Sequence, residues 1–185
     1  IYTLSLHYAL PISDVSQSSG VSVRMTIANY ETLAAAALRR ALRLGEAHAV
    51  PRVSDLASLL ASSTGKLELE YAGAEQTESE IVEGLVRRAT RVVFDERVGD
   101  AEGLAAVVDA FQEGWQVEVG ADLASADYLD GLDQIPGLRE AAAAIAGQTD
   151  DAAMASAIEF LLEGLHLRNQ LNKAAGEAGA RYHRR

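Results

Sequence analysis

The sequence predicts a mainly α-helical fold with a small two-stranded antiparallel sheet. Three observations predict it. Several stretches repeat their apolar residues every three or four positions, two short stretches alternate at period two, and the apolar content is Ala-, Leu- and Val-rich with only 5% aromatics. At 185 residues and 49% hydrophobic content the chain is long enough to bury a core. Lys and Arg number 16 against 27 Asp and Glu, a net charge of -11, so neither nucleic acid nor an anionic membrane is expected as a partner. The absence of cysteine excludes disulfides, thiol nucleophiles, iron–sulfur clusters and Cys-based zinc sites. There is no apolar run of membrane-spanning length. A cytoplasmic location is the expectation.

Residues 1–12, IYTLSLHYALPI, give neither a signal-peptide pattern nor an amphipathic element. They resemble the conceptual translation of a sequencing adapter, and an assembly artefact is expected there. Residues 13–19 are polar and read as a linker. A helix over 23–44 follows, with Ser22 as N-cap and Gly45 as stop. Ile27, Tyr30, Ala34, Ala37 or Leu38, Ala41 and Leu42 recur at helical spacing and predict its inner face. Beyond Pro51, Ser54 is the expected cap of a short helix carrying Leu56, Leu59 and Leu60, closed by Thr64-Gly65-Lys66.

Leu67, Leu69 and Tyr71 alternate with Glu68 and Glu70, predicting a strand over 66–71. Thr77 and Glu80 have capping-box spacing and open a helix to about Val98, with Ile81, Leu85, Ala89, Val92 and Val93 inward. A helix over 104–111 stops near Gly114, and the alternation of Trp115, Val117 and Val119 predicts the second strand, pairing with the first. Short helices over 127–132 and 138–145 flank Pro136-Gly137. Asp150 caps a final long helix carrying Met154, Ile158, Leu161, Leu162, Leu165 and Leu171, and the polar end, 174–185, is expected to fray.

No phosphate-binding GxxxxGK[ST] loop, GxGxxG turn, HExxH pair, GxSxG elbow or calcium loop is present. Glu163 and His166 have the Glu-x-x-His spacing of a di-metal half-site, but no second such pair occurs, so a polar helix surface or a satisfied histidine is the expectation and no metal is assigned. His48 reads as a surface loop residue. Asp95 with Glu96, Asp150 with Asp151, and Asp109 with Glu113 read as caps or solvated faces. Arg24 is the informative charge: a cation in a first helical turn opposes the helix dipole, yet free amides and a guanidinium there can meet a phosphate; taken alone it reads as a solvent-facing arginine.

Gly20-Val21-Ser22-Val23-Arg24, followed by Met25-Thr26-Ile27-Ala28-Asn29-Tyr30-Glu31, resembles the lid-helix entrance of AAA+ ATPases related to magnesium chelatase subunit I. The resemblance continues in Leu38-Arg39-Arg40-Ala41, Pro51-Arg52-Val53-Ser54-Asp55-Leu56, Phe111-Gln112-Glu113-Gly114 and Glu163-Gly164-Leu165-His166. It covers roughly residues 20–182.

The resemblance implies an AAA+ helical lid over 20–65, followed by an α+β C-terminal extension over 66–173 and a polar tail. It implies that Arg24 is the sensor-2 residue that reaches the terminal phosphate of ATP, with Mg²⁺ and ATP held in the intact parent protein. It further implies a missing N-terminal AAA+ core, a homo-oligomeric ring, and a partner resembling the integrin-like, metal-dependent adhesion-type chelatase subunit. Walker A and Walker B are absent from the chain, so the fragment alone is expected to be inactive. The alternative reading is a non-catalytic helical protein-interaction module.

Overall fold

In the computed structural model the described residues are 23–64, 77–99, 103–132, 134–148 and 150–185. Helix α1 spans Val23–Leu44, and a 3₁₀ helix at Val53–Ser58 runs into α2 at Leu59–Ser63. Then come α3 (Glu78–Arg97), α4 (Leu104–Gln112), strand β1 (Val117–Val119), α5 (Ser125–Leu132), α6 (Leu138–Ala146) and α7 (Asp151–Leu167). Strands β2 (Leu171–Ala175) and β3 (Ala180–Arg184) close the chain.

Helix α7 is the axis of the molecule. Asp150 caps it by accepting from Ala153 N at 3.1 Å. Every residue from Ala152 to Leu165 is buried, because α3, α5 and α6 all pack on this helix. Phe94 and Phe160 meet edge to face, centroids 5.7 Å apart. Phe94 also occupies the space beside Gly164, where a Cβ would stand 1.9 Å from its ring. The capping box of α3 is present as the sequence predicts, with Thr77 accepting from Glu80 N and Glu80 accepting from Thr77 N.

Three elements differ from expectation. The sheet has three antiparallel strands in the order β1-β3-β2, with Val117 opposite Tyr182 and Leu171 opposite Arg184. The expected strand over 66–71 and the Ser22 cap lie outside the described residues. The polar end is paired instead of frayed: α7 stops at Leu167, Asn169 adopts φ 60, and Leu171 opens a hairpin whose Tyr182 is buried. A single deeply buried aromatic holds a strand that its charged neighbours disguise.

The second difference is the inner face of α1. Ile27, Tyr30, Leu38 and Leu42 are exposed, as is Ala34, while Met25, Leu33, Ala36, Ala37, Arg40 and Ala41 are buried. The buried side is the one on which Leu33 meets Leu56 and Leu59, the alanines let α1 approach the 3₁₀ helix and α2 closely, and Arg40 finds its ion partners. The third concerns Ser54, which does not cap the short helix. Arg52 stands at the cap position, its backbone N–H donating to Asp55 Oδ2 at 2.9 Å. Gly45 ends α1 as expected, in the left-handed region at φ 70.

Candidate functional site

Arg24, the residue predicted to meet phosphate, lies exposed in the first turn of α1. Helical spacing places it on the same side as Ile27, Leu38 and Leu42, opposite the buried Leu33 and Arg40. The structure therefore offers one outward face carrying a guanidinium at its start and an apolar stripe along its length.

A second polar centre lies in the interior, and sequence reasoning missed most of it. Glu159 and Glu163 stand one turn apart on α7 and face a cavity of about 550 Å³ bounded by the 3₁₀ helix, α2, α3, the end of β1 and the hairpin. Ser54 donates to Glu159 through its backbone N at 2.6 Å and its hydroxyl at 3.1 Å, and the Tyr128 hydroxyl donates at 2.5 Å. Burial raises the Glu159 carboxyl above the usual range even against these donors. The same burial, with the neighbouring Glu159 carboxylate, pushes the Tyr128 hydroxyl upward, so it stays a donor.

Glu163 accepts from Lys173 Nζ at 2.7 Å and from the Tyr182 hydroxyl. Burial opposes its ionisation, but the Lys173 charge and hydrogen bond outweigh that and hold its carboxyl below the usual range. The expectation of a polar helix surface at Glu163 is thus corrected: it is 6% exposed, and β2 and β3 supply its donors. His166, half-buried, lines the same cavity, its Nδ1 lying 3.1 Å from Leu171 O, which fits the expected satisfied histidine. Among the described residues no group of three or more His, Cys, Asp or Glu could hold a metal ion. A signal was available in the sequence, since Ser156, Glu159, Glu163 and His166 recur at helical spacing and draw one polar stripe along an otherwise apolar helix.

The remaining candidates lie where surface readings put them. His48 is exposed, 3.8 Å from Asp150. Asp109 and Glu113 are exposed on α4, and Asp95 accepts from Arg168 at 2.7 Å. No helix among the described residues is long and apolar enough to cross a membrane. Comparison with protein-family models, with curated proteins and with solved structures finds no match to this chain.

Proposed function

We propose that the chain is the lid and C-terminal part of an AAA+ ATPase resembling magnesium chelatase subunit I, which in the intact protein couples ATP hydrolysis to remodelling or metal insertion in a partner. The observation that carries the reading is the outward face of α1. Arg24 and the apolar residues Ile27, Leu38 and Leu42 share it, while the opposite face is committed to the fold. A lid helix needs that division, with one face anchored and the other laid against a nucleotide-binding core.

Arg24 fits one arm of a phosphate site in its chemistry, a guanidinium able to bond phosphate oxygens at fixed angles. Mg²⁺ and ATP, held mainly by the parent's core, would supply the phosphoryl group. The contribution of this chain is to hold a cation at a fixed helix end, where developing phosphoryl charge is stabilised. Ring assembly and an integrin-like adhesion-domain partner belong to the same proposal and rest on the motif resemblance. The second reading, a protein-interaction module without catalysis, is favoured by the apolar stripe alone and gives Arg24 no special part.

Hydrolysis at saturating ATP in the full-length protein separates the two. Arg24→Ala should lower the rate at least about tenfold, the equivalent of roughly 1.4 kcal/mol of transition-state stabilisation. Arg87→Ala, on the exposed side of α3, should leave it near wild type. Equal rates for wild type and Arg24→Ala in an intact assembly would remove the assignment of Arg24.

A further inference from the structure

The chain segment between α1 and α2 is built around a fully buried arginine. Arg52 donates through Nη1 to Leu123 O at 2.7 Å, and through Nη2 to Glu46 Oε1 at 2.7 Å and Ser125 Oγ at 2.6 Å. Glu46 reaches back to α1, its other oxygen accepting from Arg40 Nη1 at 2.9 Å. It also reaches forward to α5, accepting from Ser125 N at 2.7 Å. Arg40 completes the lattice on Asp55, with bonds of 3.2 and 3.0 Å. Burial opposes the charge on Glu46, but Ser125 and Arg52 together hold its carboxyl below the usual range.

The apolar core makes this connection thinly. Leu33, Leu56 and Leu59 form a small cluster of their own, separate from the large cluster around α7. Among the described residues Val53 is the side chain packed against both. Two arginines balance two carboxylates across this seam, so the lattice is neutral while whole, and Arg52 Nε is its one buried donor left without a hydrogen-bond partner among the described residues. Removal of one member leaves a buried charge uncompensated.

We infer that the lattice centred on Arg52 is a latch that makes the α1–α2 unit and the C-terminal region one lever. A displacement imposed on α1 is then carried through Glu46 and Arg52 into α5 and the end of β1 instead of being absorbed at the loop. Opened, the same seam releases α1 and α2 as a separate low-stability unit while the cluster around α7 persists. The latch is independent of the nucleotide reading, since every bond in it lies within this chain.

Amide hydrogen exchange of the chain without nucleotide tests it. In the wild type, exposure of α1 and α7 should respond to low urea as one unit. In Arg52→Met the amides of α1 should exchange at least about tenfold faster while those of Ile158 to Leu165 keep wild-type rates. Parallel acceleration in both helices would show simple global destabilisation and overturn the latch, as would unchanged exchange in α1. Should Arg52→Met fail to fold, Ser125→Ala removes the two hydroxyl bonds of the same seam, to Arg52 and to Glu46, and a roughly threefold acceleration confined to α1 and α2 is expected. Equal changes in α1 and α7 of that variant would also overturn the latch. Because the assay contains no nucleotide, its failure leaves the assignment of Arg24 untouched.

Discussion

Helices α1 and α7 are both long and alanine-rich, yet one stands at the edge of the molecule and the other at its centre. In α7 neighbours on every side bury even two glutamates, and each is met by a tyrosine hydroxyl. In α1 the buried side holds Met25, Leu33, three alanines and Arg40, whereas Tyr30 and Leu42 are 71% and 74% exposed. Helical spacing reports that a face exists; it does not say which face is covered. What decides is the shape and polarity of the surface opposite, and for α1 that surface is the ion lattice of Glu46 and Asp55.

The largest expected effect contrasts the two helices directly. Leu161, fully buried, should cost about 3 kcal/mol when changed to Ala, because the cavity adds to the lost transfer energy. Leu38→Ala on α1 should change stability by less than about 0.5 kcal/mol, since the side chain is 52% exposed. Urea denaturation followed by Trp115 fluorescence measures both. Similar losses in the two variants would mean that the α1 stripe is covered in solution.

Much of the fold was legible because its determinants are local. The Thr77–Glu80 box, the Asp150 cap and the Gly45 stop each act within a few residues, and the helices they bound stand where spacing predicts. The hairpin was not legible. Its residues Asn172, Lys173, Arg181 and Arg184 look solvated, and only pairing with β1 and burial of Tyr182 make the segment a sheet. Of the candidate site, Arg24 stood out through the motif resemblance around it, since its place in a first turn alone reads as a solvent-facing arginine. Glu159 shows only its spacing from Glu163; its partners Tyr128 and Ser54, like the partners Ser125 and Leu123 of Arg52, come from distant parts of the chain and could not be read. Long-range polar closure leaves no periodic trace.

A pair of glycines sharpens the difference between covered and open helix faces. Ala is the better helix former by about 1 kcal/mol, so Gly84→Ala on α3, where nothing lies within 4 Å of the added Cβ, should stabilise by up to that amount. Gly164→Ala should instead destabilise by about 2 kcal/mol, since the new Cβ meets the Phe94 ring and Phe94 is fully buried. Thermal unfolding of the two variants gives the signs. Stabilisation by both would show that Phe94 yields and that the centre is less tightly packed than α7 implies.

The smallest effect concerns the charges α7 holds in its interior, and acid separates them. Glu163 has its carboxyl pK held below the ordinary range, so the folded state binds fewer protons there than the unfolded chain. Its contribution is therefore present above the unfolded carboxylate pKa and is lost as pH falls through the depressed folded value. Glu159 is shifted the other way: its contribution is present below the unfolded pKa and is lost as pH rises through the raised folded value. Glu163→Gln keeps the shape and a partner for the Tyr182 hydroxyl but removes the charge facing Lys173. It should cost about 1.5 kcal/mol at neutral pH, the scale of a hydrogen bond to a charged group, and the gap from wild type should close as acid protonates Glu163. Glu159→Gln should show the opposite trend, its deficit being largest in acid and narrowing as pH rises through the raised folded value of the wild-type Glu159. Denaturation midpoints at a series of pH values read both slopes. Two variants with parallel pH profiles would show that the glutamates titrate alike, and would break the distinction between a lysine-paired carboxylate and one met by Ser54 and Tyr128.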